Sequence, residues 1–189
     1  MKNLNIKKLT PACLKSFFDS NFIKFDLKRF IIFIFAGSIT GLIIFNAPKS
    51  LDAQELKQFN RDPKNYNVKL QILNQNNHIQ AEFMIAVADD DYKKIYGLMN
   101  LEHLPKNQGM LFKFNRAQIV TMWMKNTMIA LDMLFIDSDD IIVNIEHNAQ
   151  PYSLDIISSQ KPVKKVIEIN GGISKKLGIE VGQKIKLFK

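Results

Sequence analysis

The chain has a single cysteine in 189 residues. That excludes an intramolecular disulfide framework and a zinc site built on cysteines. Histidine is nearly as scarce. His78, His103 and His147 stand in three distant segments, without the HxH or HxxxH spacing that gathers metal ligands on one strand or helix. Glycine and proline number 8 and 6, so collagen-like or linker composition is excluded. There is no G-x-S-x-G segment, no phosphate-binding loop and no dinucleotide fingerprint. The marks of the common nucleophilic and nucleotide-dependent enzymes are missing. No cofactor is implied.

What is present suits one globular domain with an appendage. Apolar residues make up 47% and charged residues 23%, near the average for folded chains. The net charge of +8 is unevenly placed. Seven of the 26 basic residues (Lys2, Lys7, Lys8, Lys15, Lys24, Lys28, Arg29) and two of the 18 acids (Asp19, Asp26) fall within residues 1–30. The rest of the chain carries 19 basic residues against 16 acidic ones. A nucleic-acid partner needs a basic stripe on the folded body. This nearly balanced body argues for no nucleic-acid partner.

The basic segment, residues 1–29, is followed by FIIFIFAGSITGLIIFNA, Phe30 to Ala47, which has no charge. As a helix it would span ~27 Å, close to the ~30 Å of bilayer hydrocarbon. The positive flank keeps the N-terminus cytoplasmic and places the rest of the chain across the inner membrane. The expectation is an inner-membrane anchor with the C-terminal domain in the periplasm of a bacterial envelope. The alternative is a cleaved signal and a periplasmic protein. Several features favour the anchor. The basic stretch is long for a signal, Ala47 precedes Pro48, and Leu51-Asp52-Ala53 is a weak cleavage site. Cys13 precedes the apolar run, so a lipoprotein signal fails on order.

Residues 48–65 are polar and read as a tether. The folded domain is expected over residues 66–189. Its segments alternate in the manner of strands: Val68–Ile72, Ile79–Val87, Met110–Phe114, Ile119–Met124, Leu131–Ile136, Ile141–Ile145, Tyr152–Ile157, Val163–Ile169 and Lys184–Phe188. Turns fall at Asn74–Asn77, Lys106–Gly109 and Asp137–Asp140. One short helix follows Asp89 and stops at Gly97; another spans Ile173–Leu177 and stops at Gly178. Many short strands and no long crossover helix predict a mostly β domain. The expected form is a jelly-roll-like β-sandwich or barrel with two short helices, preceded by a transmembrane or signal helix.

Two acids break the apolar pattern. Asp132 lies in Ala130–Phe135, and Glu168 in Val166–Ile169. A buried carboxylate is costly unless paired or hydrogen-bonded. The bland reading of Asp132 is a carboxylate that accepts backbone N–H bonds and ties the nearby loop Lys125-Asn126-Thr127 to its strand. The functional one is a carboxylate in a pocket with a perturbed pKa. Glu168 precedes Asn170-Gly171-Gly172, where a helix start offers N–H groups to an anion. Its bland reading is a salt bridge or a helix-end hydrogen bond. Trp123, the sole tryptophan, sits beside Lys125, Asn126 and Thr127 and suits either a core or a pocket mouth. Met99, Met110, Met122, Met124, Met128 and Met133 are soft donors that suit Cu(I), but methionine is also an ordinary core filler. No metal site is assigned.

These residues resemble a known pattern. It runs through Tyr96-Gly97-Leu98-Met99, Leu104-Pro105, Gly109–Phe112, Trp123–Thr127 and Leu131–Asp137. It continues through Ala149-Gln150-Pro151, Glu168–Gly172 and Leu177–Gln183. In order and spacing they resemble the bacterial and archaeal domain of unknown function 192 family, over about residues 68–188. The resemblance implies a compact, mostly β domain similar to a jelly roll, usually exported or membrane-anchored, with no established reaction. The family pattern prefers arginine where Tyr96 stands, with Lys93 or Lys94 as its substitute here, and aspartate at Gln183.

The leading functional expectation is an envelope domain that binds a small molecule, a peptide or a partner protein. Its site is the cleft near Trp123, Lys125, Asn126, Thr127, Asp132 and Glu168. An envelope hydrolase using Asp132 and Glu168 as acid and base is the alternative, and it requires a suitable carboxylate separation. A structural or assembly protein without a small ligand is the third reading.

Overall fold

Among the described residues nine strands form: β1 (Val68–Leu73), β2 (Ile79–Ala88), β3 (Gln108–Gln118), β4 (Thr121–Met122), β5 (Leu131–Ile136), β6 (Ile142–Ala149), β7 (Ile157–Ser158), β8 (Val163–Asn170) and β9 (Lys184–Phe188). Two expected strands differ: Ile119–Met124 shortens to β4, and Tyr152–Ile157 is a loop up to Ile156, because Tyr152 turns at φ +62° and the Ser153 hydroxyl accepts the Asp155 N–H locally. The computed structural model describes residues 53–189. The basic segment and the apolar run 30–47 lie outside the described residues. Among the described residues, no helix is long and apolar enough to cross a membrane.

Seven strands form one mixed sheet in the order β6-β5-β8-β3-β2-β1-β9, and β4 and β7 form a separate ribbon. Only the β2–β3 pair is parallel; the other pairs are antiparallel. The domain is thus mostly β, as expected, but it is not a jelly roll of two facing antiparallel sheets. Alternation identifies strands without identifying their neighbours. Here β8 inserts between β3 and β5, and a parallel pair replaces a hairpin. The two edges meet. Ile141 bridges Lys184, the Ile142 N–H donates to the Gln183 carbonyl at 2.9 Å, and the Gly182 N–H donates to the Ile142 carbonyl at 2.8 Å. One sheet face, with Leu70, Phe83, Ile85, Leu134, Ile167 and Ile185, encloses a core drawn from every strand of the sheet. The other face carries Met110, Phe112, Met133, Phe135 and Val166, and loop residues Leu98, Leu104, Val120 and Met124 cover it.

The helices are α1 (Ala53–Phe59), α2 (Asp91–Tyr96) and α3 (Ile173–Lys176). The last two are the expected short helices. Asp90, one residue after the expected cap, accepts from the Lys93 N–H at 2.8 Å. Asp89 pairs with the Lys93 ammonium instead. Gly97 ends α2 at φ +50°, and a Cβ there would meet the Phe112 ring at 3.0 Å.

Helix α1 lies within the segment expected to be a tether, so folded structure begins before Tyr66. Leu56, Asn60 and Tyr66 are buried. The Asn60 amide donates to the carbonyls of Gly97 (3.1 Å) and Met99 (3.0 Å), and the Tyr66 hydroxyl donates to the Asn60 carbonyl at 2.7 Å. A polar composition hid this. The segment is fixed by side-chain bonds to backbone, which leave no apolar periodicity.

Candidate functional site

Glu168 lies on β8 between two thioethers. Met110 of β3 is opposite on one side and Met133 of β5 on the other. Side chains alternate between faces along a strand, so Glu168 shares the face of Met110, Phe112 and Met133. It is 4% exposed. Among the described residues it has no ion pair and its carboxyl has no hydrogen bond. Burial pushes its pKa up to about 8. At neutral pH the group is mainly a carboxylic acid, with one O–H to donate. Among the described residues, neither the salt bridge nor the helix-end hydrogen bond expected of Glu168 forms, because β8 turns its side chain onto the apolar face with Met110 and Met133.

Above Glu168 is a cavity of about 600 Å³. Phe112 and Phe114 of β3 form its floor with Glu168. Helix α2 and the following turn supply Lys94, Ile95, Tyr96, Leu98 and Met99, and residues 118–127 close the far side with Ile119, Met122, Trp123, Lys125 and Thr127. The Lys94 ammonium sits 5.6 Å from the Phe114 ring centre and the Lys125 ammonium 5.1 Å from that of Trp123. Lys94 also pairs with Asp91 at 3.0 Å. The walls are aromatic and apolar, the rim carries two ammonium groups, and the floor holds a neutral acid.

Four of the six expected site residues meet here: Trp123, Lys125, Thr127 and Glu168. Asn126 stands behind the wall. At φ +55° it donates to the Met99 sulfur at 3.9 Å, and its carbonyl accepts from the Asn100 N–H at 2.8 Å. It thereby joins the loop 125–127 to the turn after α2. Asp132 belongs elsewhere. Its partner across β8 is Ile169, whereas Met133 faces Glu168. The two carboxyl groups therefore point to opposite faces, and the acid/base pair of the hydrolase reading is not assembled.

Nor does Asp132 tie the Lys125–Thr127 loop to its strand as expected, since its bonds go to Asn148 and to the start of α3; it accepts four. Oδ1 takes the N–H groups of Asn148 (2.7 Å) and Gly172 (2.9 Å); Oδ2 takes the Ser174 N–H (2.8 Å) and hydroxyl (2.6 Å). Burial works to raise its pKa, but the Ser174 hydroxyl and the N–H groups of Gly172, Asn148 and Ser174 outweigh it and hold the pKa below its ordinary value. The anion expected at the Asn170–Gly172 helix start is this carboxylate. His147 Nδ1 lies 2.9 Å from Ser174 Oγ. The three residues form a chain with serine in the middle. The Ser174 proton goes to Asp132, so His147 is the donor to Ser174. A serine nucleophile requires histidine in the middle, and Ser174 is fully buried.

Sequence reading missed Phe112 and Phe114 as cavity residues and Asn60 as the clamp on the turn; Lys94 and Tyr96 entered it only through the family pattern. The alternation of Phe112 and Phe114 with Lys113 was a visible signal for a shared face. Nothing local signals Asn60. Among the described residues, no group of three or more His, Cys, Asp or Glu side chains is placed to hold a metal ion. Met110, Met124 and Met133 are buried in the core, whereas Met99 and Met122 reach the cavity.

The profile of the DUF192 family, described as "Uncharacterized ACR", matches residues 71–187. The chain belongs to the DUF192 family. Two crystal structures share its fold. One, from Sinorhizobium meliloti 1021, is assigned provisionally as a transcription regulator. It is 37% identical, covers 63% of this chain and 92% of its own, and superposes with a TM-score of 0.61. The other is a protein of unknown function from Novosphingobium aromaticivorans DSM 12444, 32% identical, covering 62% of this chain and 83% of its own at a TM-score of 0.59. No curated protein matches the chain. Within this DUF192 domain, the motif residues split between two tasks. Gly97, Leu98, Met99, Trp123 and Glu168 build the cavity, and Asp132 with Gly172 ties α3 to the sheet.

Proposed function

We propose that this domain is a small-molecule-binding module of the bacterial envelope and that the cavity over Glu168 is its site. The carrying observation is the buried, unpaired carboxyl at the floor of a cavity with aromatic walls. An apolar pocket with a few convergent polar groups and a perturbed acid is the usual form of a ligand site. The reading favours a ligand with a flat apolar body and a hydrogen-bond acceptor directed at the Glu168 O–H. A negative group on the same ligand is matched by Lys94 and Lys125 at the rim. The envelope location rests on residues 30–47 and their basic flank. Nucleic acid is not the partner we propose, because α2 and α3, of six and four residues, are short for a groove-reading helix. A hydrolase has less support, since Asp91 is exposed at the rim and Asp132 faces away.

The test uses 8-anilinonaphthalene-1-sulfonate, which is aromatic and anionic. Its emission, excited through Trp123, should saturate with one site per chain. Glu168→Gln, which keeps a donor, should bind within about threefold of the wild type. Glu168→Leu should bind about tenfold more weakly, the equivalent of one hydrogen bond of ~1.4 kcal/mol. Equal affinity for all three proteins would contradict the assignment.

A further inference from the structure

Beside its two ammonium groups, the cavity mouth exposes large apolar side chains. Ile95 is 67% exposed, Ile119 53% and Trp123 47%, and all three line the cavity mouth. The apolar surface continues along the β4–β7 ribbon. Met122 pairs with Ile157, so the next positions, Trp123 and Ile156, adjoin. Beyond them, the Met124 N–H donates to the Ser153 carbonyl at 3.0 Å, which aligns the loop at 152–156 with the segment after β4. That loop presents Leu154 at 67% and Ile156 at 76% exposure. Asp155 lies between them, and its carboxylate is turned onto the Ser153 hydroxyl at 2.9 Å.

We propose that this face rests on the surface of a lipid bilayer, and that the cavity takes an amphiphile from the adjoining leaflet. The second half rests on the cavity reading above, and the tether argument for the first half rests on the anchor proposed there. Three observations converge on a bilayer. The exposed side chains combine aliphatic tips with tryptophan and lysine, and indole and ammonium groups settle at the headgroup level of membranes. Lys125 stands beside Trp123, placing charge where lipid phosphates would lie. The chain is also short at this point. Only residues 48–52 separate the apolar run from α1, a reach of less than about 20 Å fully extended. With the run in a bilayer, as proposed above, so short a connection bounds the distance from α1 to that bilayer. The end of α1 lies close to the cavity wall, because the Lys93 ammonium of α2 sits 5.2 Å over the Phe59 ring.

Trp123 is the sole tryptophan, so its emission reports on this face alone. The full chain is reconstituted into vesicles of phosphatidylethanolamine and phosphatidylglycerol whose acyl chains carry bromine at graded depths. The expected result is quenching of Trp123 at least twofold stronger for shallow bromines than for bromines near the bilayer centre. Leu154→Asp with Ile156→Asp should abolish it and leave the melting temperature unchanged, since both side chains are exposed. Emission indifferent to bromine but quenched by aqueous acrylamide would place the face in water and overturn the proposal. Shielding from both quenchers, with crosslinked dimers, would assign the face to a second copy and overturn it equally. The leaflet ligand is tested by competition. Lysophosphatidylglycerol should displace the anilinonaphthalene probe from the wild type, and no displacement would overturn that half. A failure of the cavity reading would be distinct, because Glu168→Leu would then leave probe affinity unchanged whatever the bromines report.

Discussion

Asp132 accepts four hydrogen bonds from three residues, while Glu168, one residue out of register on the neighbouring strand, accepts none among the described residues. Both were visible in the sequence, because an acid interrupts an apolar alternation. Their faces were only half visible. Parity along β5 groups Asp132 with Leu134 and Ile136, and parity along β8 groups Glu168 with Val166. Whether those faces coincide depends on the register between strands, which no local pattern states. The tie role of Asp132 carries its own prediction. Asp132→Asn leaves one acceptor oxygen for four donors and should cost ~1–3 kcal/mol in urea denaturation. The folded pKa of Asp132 lies below its ordinary value, so its contribution is present above the ordinary range and is lost as pH falls through the folded pKa. The gap between wild type and variant should accordingly close in strong acid. A near-neutral variant at pH 7 would contradict the tie.

At the scale of elements, most strands, α2 and α3 were legible because alternation and caps are local, but the stretch expected as a strand at Tyr152–Ile157 is a loop up to Ile156. The turns were legible too. Asn74 and Asp137 each accept two N–H bonds within their own turns, at 2.9–3.0 Å. Sheet order was not legible, since nothing in β8 declares that it sits between β3 and β5. Gly109 shows the consequence. Its sequence context reads as the end of a turn, but it lies inside β3, paired with Ile85 on one side and Ile169 on the other. A Cβ there would stand 2.5 Å from the Glu168 carbonyl and 3.0 Å from Ile169 Cγ2. Gly109→Ala must therefore spread β3 and β8 at the strand that carries the cavity floor. The expected loss is ~1–3 kcal/mol, the range for overpacked sites, with weakened probe binding. A variant as stable as the wild type by thermal melting would show that the strands part without cost.

For the whole molecule, the sequence supplied the class and part of the site. It marked Trp123, Lys125, Thr127 and Glu168, but not the aromatic floor of Phe112 and Phe114, nor the Asn60 clamp that holds the turn above them. Those contributions come from segments far apart in the chain and meet only when the sheet is assembled. The resulting account has one centre. In the proposed reading, a DUF192 domain held near a membrane keeps a neutral acid under an aromatic cavity to receive a ligand. The most direct measurement is the titration of the Glu168 side-chain carboxyl by carbon-13 NMR in the intact chain, with Glu168→Gln assigning the resonance. The account predicts a midpoint near the value of about 8 that burial imposes, moved further up by a ligand that accepts from the protonated acid. A midpoint in the ordinary glutamate range, near ~4.3, would mean that water or a cation reaches the floor, and the central claim would fail.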